Sequence, residues 1–263
     1  MSTVSDAIAF LEEFAPPLLA ESWDNVGLLV GRRDADVKTI ITCLTLTPDV
    51  AQEAVGEGAQ LIVSHHPVLF RGAKTITDST SEGLTLLQLI EHGIAVYSPH
   101  TSFDSALLGV NQQLANGFGL VDVAPLRPSE NAAIGGGRMG CLEKPVLLRE
   151  FLGTLRSAVS AEYVEYCGLP GAPVSKVAVA CGSAAEFLAD AVSAGCDTFV
   201  TGEASFHSAL EAREKGLNLI LLGHYSSERP AVERLASILA EALTDTDVFA
   251  SRVEIDPLAV FLP

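Results

Sequence analysis

Short apolar runs alternate with amphipathic stretches of helical period along most of the chain. Three runs predict β-strands because they are short, apolar and rich in β-branched residues: TIITCLTL (39–46), AQLIVSHH (59–66) and IAVYSPH (94–100). Four stretches predict helices: the N-terminal segment from near Ser5, DVAQEAVGEG (49–58), EGLTLLQLIEHG (82–93), which Gly93 ends, and the segment opened by DSALLGVNQQLANGFG (104–119). This alternation predicts an α/β fold whose mixed, mostly parallel sheets carry helices on their faces.

The pattern of the first half recurs in the second half. DVAQEAVGEGAQLIVSHH (49–66) aligns without a gap on EFLADAVSAGCDTFVTGE (186–203), and EHGIAVYSPHTSFD (91–104) aligns on EKGLNLILLGHYSSE (214–228) with one inserted residue. Between the two alignments the first half carries an extra segment, PVLFRGAKTITDST (67–80). Two aligned segments in the same order predict an internal duplication into similar α/β repeats, 1–125 and 126–263. The Pro- and Gly-rich stretch 123–140 fits a connection between them.

Imidazole and carboxylate side chains occur where the predicted strands end. The candidates that share this position are His65, His66, His100, Asp104, Glu203, His224 and Glu228. In open α/β sheets, functional groups gather beyond the carboxyl ends of the strands. Histidines and carboxylates in one polar pocket suit a divalent Zn, Mn, Fe, Co or Ni ion.

The adjacent pair His65-His66 bears on how many metal ions are held. Neighbouring side chains on an extended chain point to opposite sides, so the pair serves two metals more easily than one, and a carboxylate can bridge the two ions. Taken alone, a His-His pair also fits a capped strand end, and an H-x-x-x-D pair is common on helix surfaces. Coincidence with the repeat favours the metal site. His207, four residues after Glu203, fits a ligand, an acid–base group or plain helix surface.

The charge of the chain narrows the choice of partners. With 33 acidic against 16 basic residues among 263, the formal net charge is −17. An acidic surface repels phosphate backbones and anionic membranes, so nucleic acid is not an expected partner. A local positive site, such as a bound metal, can still attract an anionic small molecule.

The cysteines and the N-terminal stretch indicate the cellular compartment in which the protein is expected. Five cysteines, an odd number, form no C-x-x-C pair, which suggests reduced thiols in the cytoplasm. The N-terminal stretch lacks a basic region and a long apolar core, so no signal peptide is expected. No apolar segment has the length that crossing a bilayer requires.

Five motifs together resemble the Nif-three-like family, whose members are also called dinuclear metal centre proteins or GTP cyclohydrolase type 2 homologues. They are SWDNVGLLVG (22–31), IVSHHPVLF (62–70), SPHTSFDSALLGVNQQLA (98–115), TGEASFHSALEAREKGLN (201–218) and GHYSSERPAV (223–232). The chain is similar to the short form, without the inserted middle domain of longer relatives. The resemblance implies two intertwined repeats and a ring-shaped homohexamer with metal pairs facing an internal cavity.

The resemblance also assigns roles to residues. It implies two divalent metals per chain held by His65, His66, Asp104, His224 and Glu228, with the pairing of ligands and the bridging carboxylate left open. His100, Glu203 and His207 occupy neighbouring motif positions and are the candidates for acid–base or supporting roles. Trp23, Asp24 and Asn25 fit either a pocket wall or a packed tryptophan beside a turn.

The expected function is hydrolysis of a small anionic or nucleotide-like molecule by a metal-dependent enzyme. Opening of the guanine ring of GTP follows from the family label alone. The alternative is a metal-binding ring without turnover that handles metal or regulates another process. A coordination position on the metal that the protein leaves to water would favour the enzyme over this alternative.

Overall fold

The computed structural model describes residues 2–131 and 133–261. The strands are β1 Gly27–Val30, β2 Thr39–Cys43, β3 Leu61–Ser64, β4 Ala95–Ser98, β5 Val121–Ala124, β6 Arg127–Pro128, β7 Gly135–Gly136, β8 Arg138–Leu147, β9 Glu165–Cys167, β10 Pro173–Ala180, β11 Thr198–Thr201, β12 Asn218–Leu221 and β13 Asp247–Ala250. The α-helices are α1 Val4–Phe14, α2 Pro48–Gly56, α3 Ser81–Glu91, α4 His100–Ser105, α5 Val110–Gly117, α6 Leu148–Ala158, α7 Leu188–Ser193, α8 Phe206–Lys215 and α9 His224–Ala242.

The chain divides into two compact units, each made of separate chain segments. Unit 1 comprises Met1–Phe103 and Ala231–Ile255, and unit 2 comprises Asp104–Pro230 and Asp256–Pro263. These units are defined by packing, whereas the repeats 1–125 and 126–263 are defined by internal sequence similarity. The repeat boundary therefore stays a prediction.

Unit 1 is built on a sheet with strand order β1-β4-β3-β2-β13. Strands β4, β3, β2 and β13 run parallel, and β1 pairs antiparallel with β4 at the edge. Threonine side chains cap the helices of this unit: Thr3 begins α1, Thr47 begins α2 and Thr80 begins α3, each accepting a hydrogen bond from a backbone N–H of the first turn. Buried aliphatic side chains of β2, β3, α2 and α3 pack together into the core of this unit.

Unit 2 is built on a sheet with strand order β5-β8-β10-β11-β12-β9. Strands β10, β11 and β12 run parallel, and β9, β8 and β5 join antiparallel. Read from the antiparallel edge strand, β9-β12-β11-β10 repeats the order β1-β4-β3-β2 of unit 1. This is the topology that a duplication would produce. The mixed α/β class is confirmed, with the central strands of both sheets parallel, although antiparallel pairs, including β6 with β7, are as numerous as the parallel ones.

The buried Arg138 ties together the turn and helix segments of unit 2. Its guanidinium donates to the carbonyl oxygens of Gly135 (2.7 Å), Gly137 (2.8 Å) and Ala106 (2.7 Å), and to Oε1 of Gln112 (2.8 Å). Burial lowers the pKa of Arg138 to about 10, so the side chain keeps its charge at neutral pH. The charged side chain is thus buried with four hydrogen-bond acceptors around it, as a buried guanidinium requires.

The stretch 123–140, which the sequence predicts as a connection, contains short β-strands. It contains β6 and β7, which pair with each other, and it runs into β8, which lies between β5 and β10 in the sheet. The sequence RMGCLEKPVL of β8 mixes glycine, charge and proline, so its period does not indicate a strand. Among the described residues, no helix combines the length and apolar character needed to cross a membrane.

Candidate metal centre

His65 and His66 stand immediately beyond β3 in unit 1. The backbone N–H of His65 donates to the carbonyl of Cys43 (2.9 Å), and that of His66 donates to Leu44 (2.8 Å), so the parallel pairing with β2 continues past the strand. The hydroxyl of Ser98 donates to the carbonyl of His65 (2.7 Å). The backbone of both histidines is therefore fixed before any ligand binds.

His100, at the start of α4, brings a third imidazole to the same place. The ring centroids lie 5.2 Å apart for His65 and His66, 5.3 Å for His65 and His100, and 5.6 Å for His66 and His100. One ring nitrogen from each of the three lies within 4.8 Å of the others. His100 also has a φ of +29°, a conformation that L-residues rarely adopt. Three imidazoles at this spacing suit one divalent transition metal.

Asp24 orients His100. Its Oδ1 lies 2.7 Å from Nδ1 of His100, and the carboxylate also accepts hydrogen bonds from the backbone N–H groups of Thr101 (3.1 Å) and Asn25 (2.7 Å). Burial alone would raise the pKa of Asp24, but the bonds from His100 and Thr101 outweigh it and lower the pKa to about 2. A carboxylate that accepts from Nδ1–H leaves the lone pair of neutral His100 on Nε2, the nitrogen left for a metal.

An aromatic pair flanks this histidine cluster. The ring of Trp23 lies 6.0 Å from that of His100 and 5.8 Å from that of Phe70, and Phe70 lies 6.3 Å from His100. Both aromatic side chains are about half exposed, at 56% for Trp23 and 48% for Phe70. They offer an apolar surface beside the cluster, and the exposure of Trp23 shows that it is not part of the buried core.

Unit 2 holds a second cluster, formed by Glu203, His224 and Glu228. Glu203 follows β11, whereas His224 begins α9 and Glu228 lies one helical turn later. Nε2 of His224 lies 3.1 Å from Glu228 and its Nδ1 lies 3.4 Å from Glu203. The hydrogen bond to Glu228 raises the pKa of His224 to about 9, with Glu203 adding to the rise and burial opposing it. Without metal, the ring therefore carries a proton at neutral pH.

Gly182 leaves room for the Glu228 carboxylate. Its φ is +63°, and a Cβ at this position would overlap Oε1 of Glu228. The backbone N–H of Gly182 donates to Oγ of Ser227 (3.1 Å), which in turn donates to the carbonyl of His224 (2.8 Å). Glycine is required here both for the backbone conformation and for space.

Asp104, also in unit 2, is held by Cys181 and Asn111. The thiol of Cys181 donates to Oδ1 of Asp104 at 3.2 Å, the side-chain amide of Asn111 donates to the Asp104 carbonyl (3.1 Å), and Oδ1 of Asn111 accepts from the Cys181 N–H (2.8 Å). Burial, together with the charges of Asp104 and Glu228, raises the pKa of the thiol well above its usual value. Cys181 is therefore a protonated donor to Asp104 and not a thiolate.

The structure brings most of the sequence-predicted site residues into these groups. His65, His66 and His100 form one group in unit 1, Glu203, His224 and Glu228 form another in unit 2, and Asp104 lies beside Cys181. His207 lies exposed on α8 with its ring against Phe206, and no described member of the unit 2 cluster hydrogen-bonds to it. No pattern in the sequence indicates the roles of Cys181 and Asn111, and Asp24 is predicted only as part of a pocket wall or of a turn beside a packed tryptophan.

Comparison with known proteins places the chain in a family. A profile of the Duf34/NIF3 (NGG1p interacting factor 3) family matches residues 2–257. A Clostridium perfringens protein named GTP cyclohydrolase 1 type 2 homolog is 34% identical over 257 residues, covering 97% of this chain and 98% of the relative. The protein NIF3 homolog of Schizosaccharomyces pombe is 34% identical over 265 residues, covering 94% of each chain.

Solved structures show the same fold. A hypothetical protein of Staphylococcus aureus superposes with a TM-score of 0.91 at 28% identity, over 98% of this chain and 99% of the other. Reduced HcgD from Methanocaldococcus jannaschii superposes with a TM-score of 0.83 at 27% identity, over 95% and 97% of the two chains. The resemblance seen in the sequence motifs is thus confirmed over nearly the whole chain.

Proposed function

The chain belongs to the Duf34/NIF3 family, and we propose that it is a metal-dependent hydrolase acting on a small anionic or nucleotide-like substrate. The proposed ligands of two divalent ions are His65, His66, Asp104, His224 and Glu228. The observation that carries the proposal is the convergence of three imidazoles in unit 1, with one ring nitrogen of each within 4.8 Å of the others. His100 belongs to this convergence, so it joins the proposed ligands or supports them through Asp24.

The donor set fits such ions. Imidazole nitrogens and carboxylate oxygens suit Zn, Mn, Fe, Co or Ni. When bound, a metal pair polarises the substrate and supplies a hydroxide at neutral pH. The proposed ligands lie just beyond β3 or in α4 and α9, and buried partners such as Asp24 support them, so regular secondary structure positions them for a metal.

The remaining groups bind substrate and move protons. Trp23 and Phe70 offer an apolar wall for a planar part of the substrate. Glu203 is about half exposed, at 49% of its side chain, and contacts His224, which suits it to accept or return a proton. The exposed imidazole of His207 is a second proton carrier in this proposal. The name of the relatives makes opening of the guanine ring of GTP one reaction to test.

Metal content per chain tests the proposal. The protein is purified without chelators or a histidine-rich tag and analysed by elemental mass spectrometry, and about two metals per chain are expected. His66→Ala and Asp104→Ala should each lower the metal content and any hydrolysis of nucleotides or phosphate esters. His92→Ala, an exposed histidine at the end of α3, is the matched control and should keep both. Hydrolysis that survives loss of metal would refute the proposal.

Metal binding without turnover on any nucleotide or phosphate ester would favour the alternative, a metal-binding ring with a regulatory or metal-handling role. The homohexamer belongs to this proposal as well. Light scattering coupled to size-exclusion chromatography tests it, and a monomer at all concentrations would contradict it.

A further inference from the structure

The segment 67–80, which the second repeat lacks, forms part of a cavity of about 440 Å³ in unit 1. The segment starts directly after His66, so the chain runs from a proposed ligand into the cavity wall. The polar, charged and aromatic side chains in its lining include Phe70, Arg71, Lys74, Thr75, Thr80 and Glu82. Apart from Phe70, the proposed hydrolase function assigns no role to the residues of this cavity.

The charge of the cavity is opposite to that of the protein. Arg71 and Lys74 both line it, and neither forms an ion pair with any residue in 2–131 or 133–261, whereas Glu82 is the carboxylate in the lining. Two cations without a carboxylate partner leave a local positive potential in a chain of net charge −17. Such a potential attracts an anion, and a guanidinium matches phosphate oxygens in geometry.

The walls of the cavity are anchored. The side-chain amide of Asn25 donates to the carbonyl of Leu69 at 2.6 Å. At Gly83, in the first turn of α3, a Cβ would overlap the carbonyl oxygen of Thr77, so glycine permits the segment to rest on the helix. The hydroxyl oxygen of Thr80 accepts from the N–H of Gly83 at 3.1 Å, which leaves its hydrogen available to a ligand oxygen.

Phe70 connects the cavity to the histidine cluster. It lines the cavity, and its ring lies 6.3 Å from that of His100. An anion held by Arg71 and Lys74 would therefore place the rest of the same molecule beside the three imidazoles.

We propose that this cavity is a phosphate-binding subsite in which Arg71 and Lys74 pair with phosphate oxygens and the hydroxyls of Thr75 and Thr80 donate to them. The substrate class is then a small phosphorylated molecule whose reacting part lies toward the histidines. That last step rests on the proposed hydrolase function, whereas phosphate binding does not require the metal.

Calorimetric titration of the metal-free protein with inorganic diphosphate tests the subsite. Arg71→Gln/Lys74→Gln should weaken binding by at least about ten-fold, because two charge-assisted contacts are removed. The matched control is Arg32→Gln/Lys144→Gln, which removes one exposed arginine and one exposed lysine elsewhere and should bind diphosphate like the unmodified protein. Binding should also weaken with added salt.

No diphosphate binding by the unmodified protein, unchanged binding by Arg71→Gln/Lys74→Gln, or an equal loss in the control would each overturn the proposal. Metal content distinguishes failure of the phosphate subsite from failure of the proposed metal-dependent function. The variant Arg71→Gln/Lys74→Gln should lose diphosphate binding but keep its metals. Diphosphate binding without hydrolysis of any nucleotide or phosphate ester, ring opening of GTP included, would refute the hydrolase alone. Hydrolysis with bound metal but without diphosphate binding to the cavity would refute the subsite alone.

Discussion

Replacing Asp24 by asparagine should weaken metal binding at the histidine cluster while the protein stays folded. The Asp24 side chain is fully buried, at 0% exposure, so water does not screen its interaction with His100. Asparagine keeps the shape and one acceptor oxygen but loses the negative charge. Because that charge favours the proton on Nδ1 of His100, the substitution weakens the preference that keeps the lone pair on Nε2.

The size of the effect follows from the contacts. A hydrogen bond to a charged partner stabilises by about 1.5–3 kcal/mol, and loss of a partner that orients a metal ligand costs about 10- to 100-fold in affinity. Asp24→Ala does more, because the N–H groups of Thr101 and Asn25 also lose their acceptor. Asp24→Ala should lower the free energy of unfolding by about 1–3 kcal/mol, and a domain of ordinary stability remains folded after such a loss.

Trp23 supplies the assay. It is the one tryptophan of the chain, and its ring lies 6.0 Å from that of His100, so its fluorescence should report metal titrated into the metal-free protein. Asp34→Asn is the control, since it removes the same charge from an exposed position in the same unit. If Asp24→Asn binds Co or Zn as tightly as this control, the carboxylate does not prepare His100 for metal.

Three further predictions concern unit 2. Arg138→Met should lower the free energy of unfolding by about 3 kcal/mol or more, because the carbonyls of Gly135, Gly137 and Ala106 each lose a hydrogen bond from the guanidinium. A loss below about 1 kcal/mol in urea titration would contradict this. In the metal-free protein His224 should titrate near pH 9 by NMR, and Glu228→Gln should return it toward 6.5. Since that pKa is raised by folding, its stabilising contribution should be complete below pH 6.5 and disappear as pH rises through about 9. Burial and a raised pKa should protect Cys181 from iodoacetamide at a pH of about 8, and rapid labelling in peptide maps would contradict its role as a donor to Asp104.

Local sequence signals predicted the elements that carry the histidines. The run 59–66 predicted a strand with His65 and His66 at its end, and β3 stops at Ser64, immediately before them. Gly93 was predicted to end a helix, and it has a φ of +68° just after the C-cap residue His92 of α3. The end of strand β3 and the end of helix α3 both depend on residues close by in the sequence, which is the range over which hydrophobic period and backbone preference act.

Long-range pairing could not be predicted in the same way. Asp24 and His100 are far apart in sequence, and neither spacing nor composition links them. The sequence of strand β8 has no apolar period, so it does not predict a strand. The segment is a strand because it pairs with its neighbours β5 and β10 in the sheet. The contact between Asp104 and Cys181 is not predictable for a similar reason, since the sequence indicates Cys181 only as one of five reduced thiols.

The position of β13 has a consequence for the order of folding. This strand, Asp247–Ala250, pairs with β2 near the start of the chain, and Glu254 accepts hydrogen bonds from the backbone N–H groups of Leu44 and Thr45. During synthesis the first residues leave the ribosome long before β13 does, so until then β2 is an open edge that can pair with another chain. Completion of unit 1 therefore waits until residues 247–254 have been translated, and a nascent chain stalled before residue 247 should depend on chaperones to stay out of aggregates.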